Sequence, residues 1–236
     1  MRPARRRRLR PKRLLAVLAL LAALAAVFEV LEGPFFRLHH VAVRGGPQGL
    51  WRLSGLRFGV PLFSVRTAAA DEQLLQKARY LATAAFERQW PDRLVLTVSY
   101  RSPVVVAAGV GGSLYGVDRT GRVLGKEPQN SGLPVLQGVA ASLVHPYADL
   151  PQAAAAAAAL AFSLHEAGFT VSEVVPGTTP QIYLPSGTEV FWPPAANTRK
   201  TLAELEAILA ALQRRQVVAA SIDLRLPQRP LVVLRK

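Results

Sequence analysis

The 236-residue chain has no cysteine, a single methionine, four histidines and little isoleucine. Without thiolates there is no disulfide, no thiolate-bound metal and no cysteine nucleophile. Serine chemistry lacks its usual frame as well, because neither G-x-S-x-G nor S-x-x-K occurs. His39 and His40 are adjacent, so a strand would turn them to opposite faces, where they cannot share a metal. His145 and His165 have no second histidine or carboxylate at ligand spacing. Gly109 to Gly112 is not followed by Lys-Ser/Thr, and so reads as a turn and not as a phosphate cradle. Asp118 and Asp223 are isolated acids in turn or strand settings. No catalytic residue, metal ligand, cofactor or small-molecule ligand is expected, and the chain reads as one that works by contact.

Acids are scarce too, 15 against 29 lysines and arginines, for a net charge of +14. That figure misleads, because eight of the cations lie within residues 2–13: Arg2, Arg5, Arg6, Arg7, Arg8, Arg10, Lys12 and Arg13. The remainder holds 21 basic and 15 acidic residues, an excess of 6 that does not argue for nucleic acid. Next to the cations comes the longest apolar run. Leu14 to Phe28 is uncharged, followed by Glu29, Val30 and Leu31. As a helix, residues 14–31 would reach roughly 27 Å, close to a bilayer core of about 30 Å. The cations on one side and Glu29 and Glu32 on the other predict a single span with a cytoplasmic N-terminus, a type II topology in the inner membrane. Two readings compete. Ala23-Leu24-Ala25 could be the cleavage site of a secretory signal, and Arg5 to Arg8 could be an arm for phosphates. The apolar run serves no purpose in the arm.

Beyond the run, Gly33-Pro34 breaks the helix. Leu38 to Val43 reads as a strand, and Leu50 to Phe58 as a short helix. A longer helix is expected over Thr67 to Thr83, with Leu74, Leu75, Ala78, Leu81 and Ala82 at helical spacing. Ala84 to Gln89 and Leu94 to Val98 follow as strands around Trp90-Pro91-Asp92, giving β-α-α-β-β. After Ser102-Pro103 come short strands: Val104 to Ala108, Ser113 to Val117 and Arg122 to Leu124. Gln152 to Ala167 is a helix closed by Gly168. Strands are read at Val171 to Val175, Gln181 to Leu184 and Glu189 to Trp192. Asn197 caps a last helix to Arg214, with Leu202, Leu205, Ile208, Leu209 and Leu212 inward. Ser221 to Leu226 and Leu231 to Leu234 close the chain. The fold class is α+β: a transmembrane helix, a β-α-α-β-β domain, then a mixed β domain with flanking helices.

The punctuation resembles the FtsQ/DivIB family of bacterial cell-division proteins. Val41-Ala42-Val43-Arg44-Gly45 is similar to the first strand of that family's POTRA domain. Gly59-Val60-Pro61-Leu62-Phe63-Ser64-Val65 resembles its "G-x-P-L-F-x-V". Arg88-Gln89-Trp90-Pro91-Asp92-Arg93-Leu94 resembles "R-x-W-P-x-x-L", the most specific of these. Arg101-Ser102-Pro103-Val104 resembles the "E-R-x-P-V" joint, with Tyr100 where the glutamate usually stands. Val117 to Val123 resembles "V-D-x-x-G-x-V", Leu133 to Leu136 "L-P-x-L", and Asp223-Leu224-Arg225 "D-L-R", with Leu226 where a tyrosine often follows. Phe191-Trp192-Pro193-Pro194 departs from the family's short Gly-containing segment. Each fragment alone is common; in this order, behind an anchor, they carry the resemblance.

The resemblance implies a cytoplasmic tail at 1–13, a transmembrane helix at 14–31, a POTRA domain at 36–102 and an FtsQ-type β domain at 103–236. It implies a non-catalytic scaffold that recruits division proteins during septum formation, with FtsB and FtsL as partners docking on the last strand. The expected contact residues are Arg225, Leu226, Leu231, Val232, Val233 and Leu234, with Arg225 pairing with a partner carboxylate. From the residues themselves, Leu231 to Leu234 would be an edge able to accept a strand, Val232 and Leu234 packing inward. An internally paired Arg225 remains an equal reading. The alternatives are an exported POTRA-type transport or chaperone component and a secreted protein released from its signal. The need to meet other single-pass proteins favours the retained anchor, since tethering raises local concentration without new contacts.

Overall fold

The alternation Leu94, Leu96, Val98 makes the middle strand of a small sheet. In the computed structural model, which describes residues 16–24, 34–194, 197–226 and 229–235, β3 (Arg93–Tyr100) lies between β1 (His40–Arg44) and β2 (Leu81–Gln89). It pairs parallel with β1 and antiparallel with β2. This sheet belongs to the first of two compact units, Met1–Tyr100 and Arg101–Lys236. Helix α1 (Thr67–Lys77) buries Ala70 and Leu74 against Leu38, Leu62, Leu81, Leu94 and Leu96.

Three expectations change in this unit. The first expected helix is a 3₁₀ segment, Gln48–Ser54, stopped by Gly55 in the left-handed region at φ 74°. Helix α1 ends at Lys77, not Thr83, and Leu81 and Ala82 open β2 instead. Leu74, Ala78 and Leu81 are all fully buried, so a helix-turn-strand path reaches the same core that helical spacing suggested. Finally, His39 and His40 do not diverge. Both backbone N–H groups donate to the Asp92 carbonyl, at 2.9 and 3.2 Å. Their rings approach Asp92 Oδ2 at 4.0 and 3.6 Å. Among the described residues no group of three or more His, Asp or Glu could hold a metal ion.

The second unit is one nine-stranded sheet in the order β12-β11-β10-β9-β8-β7-β4-β5-β6. Its strands are β4 (Val105–Ala108), β5 (Leu114–Val117), β6 (Val123–Lys126), β7 (Val135–Leu136), β8 (Glu173–Val175), β9 (Gln181–Tyr183), β10 (Glu189–Phe191), β11 (Ala219–Asp223) and β12 (Leu231–Leu234). Strand β7 was not foreseen. Two residues after a proline carry no alternation to read, yet they join β4 to β8 in parallel. Helix α2 (Gln152–Glu166) buries Ala154, Ala157, Ala158 and Ala161, whose small side chains let it lie close to the sheet. It closes as expected, with Gly168 at φ 85° and the Phe169 N–H donating to Leu164 O at 2.9 Å. Helix α3 (Thr198–Arg214) is capped by Asn197, whose side chain accepts from the Lys200 N–H. Leu205 is fully buried, and Leu202, Ile208, Leu209 and Leu212 pack on the same core.

Gly121, in the turn between β5 and β6, lies under α2. Its φ is +82°, and a Cβ would stand 2.4 Å from the Ala155 Cβ. Gly121→Ala combines a left-handed backbone with a clash, and is expected to cost about 1–3 kcal/mol, read as a lower urea midpoint at unchanged slope.

Residues 16–24 are helical and exposed. No helix among the described residues is long and apolar enough to cross a membrane. The basic tail and the rest of the expected span, 14–15 and 25–31, lie outside the described residues.

Candidate partner-binding edge

Two sheets have four edges, and on three of them outward backbone groups of the edge strand are met by residues of the chain itself. On β1 the Gln48 amide stands in for a neighbouring strand, accepting from the Val43 N–H at 3.3 Å and donating to its carbonyl at 3.5 Å. On β2 the Phe86 N–H donates to the Asp71 carboxylate from α1, at 2.7 Å. Burial raises the Asp71 pKa, a shift that this hydrogen bond opposes without cancelling. On β6 the segment 147–150 lies alongside: Val123 N–H donates to Ala148 O and Tyr147 N–H to Val123 O, both at 2.9 Å. The Arg122 guanidinium clamps Asp149 through two bonds of 2.7 and 2.9 Å.

Strand β12 is different. It pairs antiparallel with β11 on one side, and among the described residues no strand pairs with its other side. The Arg235 N–H donates to Val218 O at 2.9 Å. Strand alternation therefore turns the N–H and C=O of Leu231 and Val233 toward β11 and those of Val232 and Leu234 outward. Unpaired strand groups of this kind template the addition of another strand. Side chains around them are apolar and exposed: Leu226 by 66%, Leu231 by 63% and Leu234 by 50%, with Val233 similar.

Val232 packs on the core as expected, but Leu234 does not. A bulge in β11 opposes Leu234 to Ala219 and Val233 to Ser221, leaving Ala220 as the extra residue. Ala219 and Ile222 are both buried although three apart, and the inward alternation across β12 is lost at that point. Buried Thr188 supports the bulge by donating its hydroxyl to Ala219 O at 2.8 Å. Beyond it, Arg235 fastens the end of β12 by donating to the Ser186 and Gly187 carbonyls at 3.0 and 2.9 Å.

Arg225 is engaged within its own chain. Its Nε lies 2.9 and 3.0 Å from the two Asp223 oxygens, and its guanidinium sits 5.1 Å above the Phe191 ring centroid. Phe191 and Asp223 are register partners on β10 and β11, so one strand supplies the carboxylate and the next the aromatic floor. The Arg225 hydrogen bonds hold the Asp223 pKa below its ordinary value, against a smaller upward push from burial. Phe191, Asp223 and Arg235 were not among the expected site residues. The i, i+2 spacing of Asp223 and Arg225, which puts both on one strand face, was the available signal for the pair.

A family model described as Cell division protein FtsQ/DivIB, C-terminal, matches residues 106–225, from β4 to Arg225. The chain belongs to the FtsQ/DivIB family. It is similar to the cell division protein FtsQ of Streptomyces coelicolor, 32% identical over 113 residues, covering 44% of this chain and 43% of that one. With the FtsQ of Streptomyces griseus it shares 36% over 80 residues, 34% and 38% of the two chains. With that of Streptomyces collinus the figures are 30% over 136 residues, 56% and 51%. The chain thus spans about half the length, or less, of these relatives.

Proposed function

We propose that this FtsQ/DivIB family member is a non-catalytic scaffold of the division machinery. Residues 14–31 hold it in the cytoplasmic membrane, N-terminus inside, with a POTRA domain at 36–102 and an FtsQ-type β domain at 103–236 outside. Its partners are single-pass division proteins of the FtsB and FtsL type, captured by strand addition. The observation that supports this best is the contrast between edges. The chain's own residues meet backbone groups of β1 at Val43, of β2 at Phe86 and of β6 along 147–150. Among the described residues, by contrast, no strand pairs with the outer side of β12, flanked by Leu226, Leu231, Val233 and Leu234. Natural sheets rarely leave a flat apolar edge uncovered unless something pairs with it. Arg225 contributes by exchange, leaving or sharing Asp223 for a partner carboxylate, with Phe191 as a fixed floor for the guanidinium.

Co-purification of the full chain with an FtsB–FtsL pair tests this reading. Arg225→Glu puts a like charge beside Asp223 and is expected to weaken capture at least tenfold; removal of residues 231–236 is expected to abolish it. Undiminished capture by both variants would reject the edge as the interface. Depletion in cells separates the division role from the interface: normal septation after depletion would reject the scaffold.

A further inference from the structure

Among the described residues, the largest group of exposed aromatic rings in contact lies at the other end of the chain from β12. Phe35 is 69% exposed and Trp90 54% exposed, and Phe36 joins them into one surface. Phe35 and Phe36 meet edge to face at 5.5 Å between centroids, and Phe36 and Trp90 at 5.9 Å. Phe35 and Phe36 sit in the 3₁₀ turn Pro34–Phe36; Trp90 is in the turn between β2 and β3. Scattered exposed rings are ordinary, whereas three in contact mark a surface that something covers. Two exposed cations lie at the same end, Arg37 just after the rings and Arg93, which the strand register sets opposite His40 and Gln89. Of the acids nearby, Asp92 is set back, its side chain 28% exposed and approached by His39 and His40, while Glu29 and Glu32 precede the rings in the sequence.

We propose that Phe35, Phe36 and Trp90 seat the first unit on the outer face of the bilayer, in the headgroup layer, with Arg37 and Arg93 reaching lipid phosphates. The occupant follows from chain length. The apolar run ends at Leu31, and four residues extended cover at most about 14 Å. The headgroup layer is about 5–8 Å deep on each side of the hydrocarbon. Phe35 therefore emerges in or beside that layer, where the amphipathic ring of Trp90 is favoured, the two phenylalanine rings can reach the acyl boundary and long cations extend to phosphate. This inference rests on the anchor reading above.

The absence of cysteine makes the test direct. The full chain is reconstituted in phosphatidylcholine vesicles with brominated acyl chains, carrying a fluorophore on Gln89→Cys, beside Trp90, or on Arg44→Cys at the far end of β1. Quenching at 89 is expected to exceed that at 44 by at least threefold. Adding Phe35→Ser and Trp90→Ser should bring 89 down to the level of 44; both rings are exposed, and an unchanged thermal midpoint confirms that the unit stays folded. Should the double variant unfold, the comparison of 89 with 44 in the intact chain still decides. Equal quenching at the two positions in a chain that floats with the vesicles overturns the inference and gives the rings to a protein partner. A chain that does not float with the vesicles overturns the anchor reading, and this inference with it.

Discussion

Leu234→Pro is expected to weaken capture of an FtsB-type strand by about 30-fold while leaving the fold within about 1 kcal/mol of the parent. The Leu234 N–H faces away from β11, because the Arg235 N–H is the one bonded to Val218. Proline at that position removes no bond of the chain's own ladder, a setting in which a strand tolerates it. An added strand loses a donor there and keeps an unpaired carbonyl against the proline ring. One lost hydrogen bond and one unsatisfied acceptor amount to about 2 kcal/mol, and each 1.4 kcal/mol is tenfold in affinity. Val233→Pro is the matched control, since its N–H faces β11; it should lower the urea midpoint. Leu231→Ser should cost only the apolar contact, a few-fold in capture. If Leu234→Pro binds as the parent does, partners do not pair with the backbone of this edge, whatever their side chains touch.

How far these features could be read from residues alone differs from one to the next. Strand β12 was legible to the residue, because Leu231 to Leu234 is an apolar run between a proline turn and two terminal cations. Helix α3 was legible because Asn197 caps it and its leucines recur at helical spacing. Leu81 and Ala82 misled, because the same apolar spacing fits a helix and a turn into a strand; the Ala78 turn decides between them, and a single alanine carries no sign of it. The bulge at Ala219 to Ser221 was invisible for a related reason. Its support is the Thr188 hydroxyl, 31 residues away in sequence, and no local pattern encodes a partner at that distance. Edge protection was equally hidden. Gln48 and Asp71 are ordinary polar residues until the fold places them against Val43 and Phe86. The contrast that singles out β12 exists only once the strand order is known.

Asp118→Ala is expected to destabilise the second unit by about 3–5 kcal/mol. The carboxylate is almost fully buried, and it accepts from the Thr120 N–H at 2.8 Å, the Thr120 hydroxyl at 2.7 Å and the Arg122 N–H at 2.9 Å. The Arg101 guanidinium, itself largely buried, completes the set. Removing one member of a buried pair strands the other charge, which costs more than the pair contributes. Burial raises the Asp118 pKa, but the bonds from Thr120, Arg101 and Arg122 outweigh it and the net shift is downward. A carboxylate with a folded pKa below its unfolded value of about 3.9 stabilises fully above that value. The contribution fades as the pH falls through the folded pKa. The difference between the parent chain and Asp118→Asn should therefore be constant near neutrality and shrink below about pH 4. Fluorescence of Trp192, buried in the second unit, reports this unfolding once Trp51 and Trp90 are replaced by phenylalanine. Asp118 follows β5, near the β6 edge, and β12 is the opposite edge of the nine-stranded order. Changes so far apart should add. An Asp118→Asn chain that is still folded should thus capture partners as the parent does, and a loss of capture in that folded variant would mean that the two ends of the sheet are coupled.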